Sequence, residues 1–347
     1  MSLNSLFKNL APDEFVSTWR SPSNIAFVKY WGKKGHQIPA NPSLSMTLKE
    51  CYTETKVTFK KADALNVDLK LDGVSSEKFA TKISNYLKTL EELPWLNQVS
   101  FSIETSNTFP HGTGIASSAS GLSAFALCLT DYLYKLSGEE KNNLFYIRAS
   151  NLARLASGSA CRSVYGGFTT WGECSLAESS DKYATPFEVH PELKHLKDSV
   201  VVVSGEEKNV SSTAGHGRMS DHPFAAARFV QAKDNFDIMA RALKSGDIEE
   251  MGRVLESEAL SLHAMMLTSP EAYTLLKPNT LAAIEMIWSF RRETKLPLYF
   301  TLDAGPNLHL IYPDVFENKI KTFISHELSS LSQKIIHDEK GEGPLKC

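Results

Sequence analysis

The segment 119–136 constrains the fold more than any other part of the chain. Leu122, Phe125, Ala126, Leu129, Leu133 and Leu136 recur there at three- and four-residue steps, which predicts a helix with a broad apolar face. Most of its other residues are small or apolar too, and Cys128 among them reads as core, so the helix is expected to be largely buried. Burying it takes a large core. A chain of 347 residues with 42% hydrophobic content can supply one, and that length suggests two domains more readily than one.

The rest of the first half mixes strands with helices. Strand-like runs occur at 25–30, 45–48, 53–59 and 99–104, the third alternating Thr and Lys with Val and Phe. Helical periodicity covers 77–91. Another helix over 139–156 starts after Ser137-Gly138 and stops at Ser157-Gly158. A Pro- and His-containing stretch at 186–196 reads as a connection, which divides the chain into domains 1–192 and 193–347. Beyond it, helical patterns cover 224–245, 247–266 and 280–294, punctuated by Gly246 and Pro278. Strands are expected at 200–204, 298–302 and 308–312. Strand, then helices, then a strand pair describes an α+β layer rather than a doubly wound parallel sheet. The tail from His337 is polar and is expected to fray.

Charge and cysteine usage narrow the function. Lys and Arg total 37 against 40 Asp and Glu, a net charge of −3, so no global basic field draws in nucleic acid or acidic lipid. Any anionic ligand must be held by local positive groups. Residues 1–16 carry charge and lack the apolar core of a signal peptide, and no apolar run reaches membrane-spanning length; the expected compartment is the cytoplasm. Five widely spaced cysteines make neither a disulfide framework nor a metal-type pair, and the ten histidines lack a close pair, so no zinc site is expected. Cys161, in a Gly/Ser segment, could lie near a ligand but has no evident His partner to activate it.

Four segments carry chemistry. The Gly/Ser-rich loop 110–121, containing Gly112, Gly114, Ser117 and Ser118, runs directly into the buried helix; glycines allow close backbone approach, and the helix N-terminus offers unpaired N–H groups. This suits phosphate, although an ordinary Ser-capped helix would look similar, and no Lys follows the last Gly as a P-loop requires. In 156–163, Ser157 and Ser159 flank Gly158, and Arg162 follows with a guanidinium fork suited to a carboxylate or phosphate; a helix end with a surface Arg is the plainer alternative. In 24–33, Lys29 interrupts an apolar strand-like run, which is costly unless it faces a polar site or pairs with an acid. Finally, Asp303-Ala304-Gly305-Pro306-Asn307 puts a carboxylate on a fixed turn after a strand, where it can reach a substrate hydroxyl or simply make a polar turn.

Together these segments resemble the mevalonate diphosphate decarboxylase family, within the galactokinase, homoserine kinase, mevalonate kinase and phosphomevalonate kinase (GHMP kinase) superfamily. The matching motifs are Asn-Ile-Ala-x-x-Lys-Tyr-Trp-Gly-Lys at 24–33, the Ser-Ser loop at 110–121, Gly-Ser-Ala-Cys-Arg-Ser at 158–163 and Asp-Ala-Gly-Pro-Asn at 303–307, and the resemblance runs from about Trp19 to Tyr312. It implies an α+β protein of two domains, the first like ribosomal protein S5 domain 2 and the second a ferredoxin-like α/β sandwich, with the active site between them. It also implies ATP, Mg²⁺, (R)-5-diphosphomevalonate as substrate and a homodimer. The implied reaction phosphorylates the tertiary 3-hydroxyl and then loses phosphate and CO₂ to give isopentenyl diphosphate.

By the same resemblance, Asp303 accepts or orients the 3-hydroxyl proton, Lys29 lies beside it and Arg162 clamps the substrate carboxylate. Tyr30, Lys33, Ser157, Gly158 and Ser159 bind the diphosphate end and carboxylate region, Gly112, Gly114, Ser117 and Ser118 hold the nucleotide phosphates, and Ser118 also meets the metal. One departure stands out. Ser211-Ser212 is followed by Thr213 where some bacterial relatives carry Arg, so the diphosphate pocket must rely on Lys33, Lys208, Arg218 or His216, with His216 expected to be a solvent-facing loop residue. A decarboxylase of 5-phosphomevalonate, a 3-hydroxyl kinase and a catalytically silent ligand sensor remain the alternatives.

Overall fold

A computed structural model describes residues 13–109, 117–206 and 210–347. Among them, strand Ser43–Lys61 organises the first sheet. One edge pairs antiparallel with Glu14–Val28 along most of its length, and the other pairs with Val99–Asn107 over 53–61 and with Phe168–Trp171 over 43–46. Asn66–Leu71 adds a parallel neighbour to Val99–Asn107. The second sheet is antiparallel, in the order Tyr299–Thr301, Leu308–Pro313, Leu196–Val202, Lys334–Glu339. Helices and two sheets thus form the expected α+β arrangement.

Helix Ser117–Ser137 is buried along nearly its whole length. It packs with Val57, Phe59, Phe101 and Ile103 of the first sheet and with Phe145, Ala149 and Leu152 of helix Asn143–Ala156. A second core is shared by both sheets: Ile25, Phe27, Leu44 and Met46 meet Val200, Val202, Phe236, Met239, Val254 and Leu255. Helices Ala225–Ser245 and Ile248–Leu267 supply the last four. Burial of this kind contributes about 25 cal/mol per Å² of apolar surface, so the two halves are joined by packing as well as by the chain.

Two departures from the sequence pattern shape the site. The runs at 45–48 and 53–59 are one strand, bent where Pro22 pairs with Tyr52 but Asn24 pairs with Thr47. At the bend, the Asp338 carboxylate accepts the backbone N–H groups of Lys49, Glu50 and Cys51 at 2.8–2.9 Å, satisfying donors that the neighbouring strand cannot reach. Nor does the tail fray. Lys334–Glu339 is a strand of the second sheet, and Leu345–Lys346 pairs with Trp19 and Arg20 at the edge of the first. The backbone hydrogen bonds of these segments, not their composition, order them.

Candidate active site

Strand Glu14–Val28 ends one residue before Lys29, and a second register shift lies between Ala26 and Val28. This irregularity leaves the Ala26 carbonyl free to accept the Lys29 ammonium at 2.7 Å. The same ammonium meets Asp303 Oδ1 at 2.9 Å. Side chains also fix the Lys29 backbone: its N–H donates to Glu258 Oε2 at 2.8 Å, and Asn41 donates to its carbonyl at 2.9 Å. Glu258 is fully buried and takes two hydrogen bonds from Arg228, at 2.9 and 2.6 Å, and one from Asn235.

Asp303 is set by its own tight turn. Gly305 N–H donates to the Asp303 carbonyl at 2.7 Å, and His263 donates to the same oxygen. Asn307 pins the end of the loop by bonding both backbone groups of Ser204 at 3.0 Å. Burial pushes the Asp303 carboxyl up, but Lys29, with His309 and Arg162, outweighs it and holds the group below its ordinary 3.8. Lys29, 1% exposed, is pulled below 10.5 by burial, and Asp303 restores only part of that loss. The geometry therefore supplies an ionised carboxylate beside an ammonium.

Arg162 lies in the 3-10 helix Gly158–Val164. Its Nε bonds Ser45 and Asn24, and its Nη1 bonds Ser43 at 2.8 Å. All these acceptors are neutral, so the guanidinium charge is positioned without being neutralised by them. Tyr30 forms the adjoining wall, its ring 4.7 Å from Trp171 and 4.2 Å from His216. The buried Tyr30 hydroxyl has no hydrogen-bond partner among the described residues, an arrangement that suits a polar ligand. Gly158 is required at this wall, since a Cβ there would come within 2.9 Å of Tyr30 Oη and 2.7 Å of Trp171.

Lys29, Tyr30, Lys33, Ser117, Ser118, Ser157, Gly158, Ser159, Arg162 and Asp303 all line one cleft of about 370 Å³, a volume within the small-molecule range. Gly112 and Gly114 lie outside the described residues. At Ser117 and Ser118, where helix Ser117–Ser137 begins, the cleft adjoins a second cavity lined by Leu69, Leu71, Phe79, Ile83 and Phe125. Lys82 lines both. An apolar slot beside two hydroxyls and a long-helix N-terminus fits a nucleotide with its base in the slot and its phosphates in the cleft. Among the described residues no cluster of three or more His, Cys, Asp or Glu could hold a metal; the Ser118 hydroxyl, together with phosphate oxygens, suits a hard cation such as Mg²⁺.

Three sequence expectations change. His216 does not face solvent: it lines the cleft, with Nδ1 accepting the Gly32 N–H at 2.9 Å and its ring against Tyr30 and Trp31. Arg218 turns away to Glu271 and stacks over Tyr273, while Lys208 lies outside the described residues. Cys161 is fully buried and donates to the Gly158 carbonyl, supporting the wall from behind. The sequence reading missed Glu258 and Arg228, which lie beneath Lys29, and Lys82 and the apolar slot, which border the cleft, because each is brought there only by long-range contacts.

Comparison with known proteins finds related sequences and structures. A family model described as the diphosphomevalonate decarboxylase-like N-terminal domain matches residues 21–184, and one described as the mevalonate 5-diphosphate decarboxylase C-terminal domain matches 198–344. A diphosphomevalonate decarboxylase from Ganoderma lucidum is 32% identical over 86% of this chain and 78% of its own length. One from Debaryomyces hansenii is 30% identical over 92% and 84%. Among solved structures, MDDEF in complex with MVAPP, AMPPCP and magnesium superposes with a TM-score of 0.84 at 29% identity, covering 96% of this chain and 99% of that one. The Staphylococcus aureus mevalonate diphosphate decarboxylase gives 0.83 at 30%, covering 96% and 98%.

Proposed function

The chain belongs to the diphosphomevalonate decarboxylase family, and from that membership we propose how its cleft carries out the reaction. The activity is ATP-dependent decarboxylation of (R)-5-diphosphomevalonate to isopentenyl diphosphate, with ADP, phosphate and CO₂ as the other products. ATP with Mg²⁺ supplies the phosphoryl group that makes the tertiary 3-hydroxyl a leaving group. Asp303 Oδ2 makes no hydrogen bond among the described residues, while Oδ1 is held by Lys29, so Oδ2 is available to accept the 3-hydroxyl proton. Lys29 keeps that carboxylate ionised and counters negative charge on the phosphoryl group in transfer. Arg162, its other nitrogens engaged by neutral partners, directs Nη2 to the substrate carboxylate. When the C–C bond to that carboxylate breaks, its electron pair forms the new double bond and phosphate leaves from C3.

Ser117 and Ser118 hold the nucleotide phosphates, Ser118 also meets the metal, and the apolar slot takes the base. Tyr30, Lys33, Ser157, Gly158 and Ser159 hold the rest of the substrate. The Lys29–Asp303 contact of 2.9 Å inside a cleft that also contains Arg162 and the paired serines carries this reading. Purified protein with ATP and Mg²⁺ should release equal amounts of phosphate and CO₂ from mevalonate bearing two phosphates. Release only from the monophosphate, or binding without release, would overturn it.

We also propose a division near 192/193, between strand Thr185–Phe187 of the first sheet and Leu196–Val202 of the second. Family membership supports a homodimer, to be checked by light scattering. The five free cysteines suit the reducing cytoplasm; fractionation of cells tests that placement. Among the described residues no helix is long and apolar enough to cross a membrane.

A further inference from the structure

The short helix Ser212–Gly217 lies on Trp31 so closely that a Cβ on Gly215 would come within 2.5 Å of the indole. That approach inserts His216 against both Tyr30 and Trp31, with ring centroids 4.2 and 4.6 Å away. Gly32, at φ +103°, turns its N–H onto His216 Nδ1 at 2.9 Å. Because Nδ1 accepts, the neutral ring carries its proton on Nε2. No described residue pairs with Nε2, and His216 lines the cleft together with Ser211, Ser212, Thr213 and Lys33. Lys33 makes no ion pair among the described residues, so this part of the cleft offers an ammonium, hydroxyls and an N–H donor, and Asp303 is the one carboxylate among the described residues lining the cleft.

We propose that His216 is a specificity-determining residue whose Nδ1 holds Gly32 in place while its Nε2–H donates a hydrogen bond to the phosphate end of the substrate. The inference rests on the substrate reading given above and adds the group that recognises its anionic end. Burial pulls the imidazole down to about 3, with Lys33 and Arg162 adding to the effect, so the free protein presents a neutral donor with one fixed tautomer at working pH. A neutral imidazole N–H is a directional donor and needs no charge to bind a phosphate oxygen.

Two substitutions separate the two ring nitrogens. Asn places an acceptor near the Nδ1 position and lacks the distal donor, whereas Gln places an amide near the Nε2 position. Calorimetry with (R)-5-diphosphomevalonate should show His216→Asn weakening binding about tenfold, the loss of one hydrogen bond to a charged group, and His216→Gln staying within about threefold. Equal losses in both variants, no loss in either, or a loss in Gln alone would overturn the proposal. Nitrogen NMR of the unsubstituted protein provides a check that needs no variant. It should show the Nε2–H form from about pH 5 to pH 8, and the Nε2 signal should shift with diphosphomevalonate but not with unphosphorylated mevalonate. An imidazolium at pH 6, or equal shifts with both compounds, would refute it. Turnover by the unsubstituted protein tests the substrate reading separately.

Discussion

Glu258→Gln perturbs the support beneath Lys29 without touching the cleft surface. Glu258 is fully buried and accepts four hydrogen bonds, two from Arg228, one from Asn235 and one from the Lys29 N–H. Gln keeps the shape but removes the charge and turns one acceptor into a donor, which must face a donor already in place. Arg228, its side chain 2% exposed, then becomes an uncompensated buried cation, and breaking such a pair costs about 3–5 kcal/mol. Urea denaturation followed by tryptophan fluorescence should register that loss. Replacing both partners, Glu258→Leu with Arg228→Met, removes the buried cation but leaves the Lys29 N–H and the Asn235 amide without an acceptor, about 1–3 kcal/mol each, so the double variant should be destabilised to a similar extent. Both proteins should also lose turnover, since the backbone that aims the Lys29 ammonium is released. A Glu258→Gln loss below about 1 kcal/mol, or a double variant as stable as the unsubstituted protein, would refute the reasoning.

Arg162→Lys removes the planar fork that Asn24, Ser43 and Ser45 orient; kcat/KM for the diphosphate substrate should fall about 10- to 100-fold, the loss of a charge-assisted contact. In the pH profile, Asp303 acts ionised and lies below 3.8, so kcat/KM should show no carboxylate limb between about pH 5 and pH 7. Lys29 acts protonated and lies below 10.5, so activity should fall as pH rises, earlier than an ordinary lysine would cause. A carboxylate limb near pH 6, or a flat profile to pH 11, would contradict these two assignments.

The contiguous parts of the site are readable from the chain because each motif folds locally. Asp303 through Asn307 is a turn of its own, and Lys29 betrays itself as a charge at the end of an apolar strand. Helix Ser117–Ser137 is readable from its spacing. The supports are not. Glu258 meets Lys29 across 229 positions, and nothing in its helical neighbourhood separates it from other acids. The joining of two strand runs into Ser43–Lys61 was hidden because Lys49 and Glu50 break the apolar alternation, and the carboxylate that stabilises the bend comes from Asp338. His216 reads as a loop residue from composition alone; only the close packing allowed by Gly215 puts it in the cleft.

Asp303→Asn tests the chemistry most directly, because it keeps the size of the side chain and removes the proton acceptor beside Lys29. Phosphate and CO₂ release measured on the same samples should fall about 10²- to 10⁴-fold in kcat, while the dissociation constant for diphosphomevalonate changes only severalfold. Near-normal turnover, or a defect confined to binding, would show that the Lys29–Asp303 pair does not act on the tertiary alcohol.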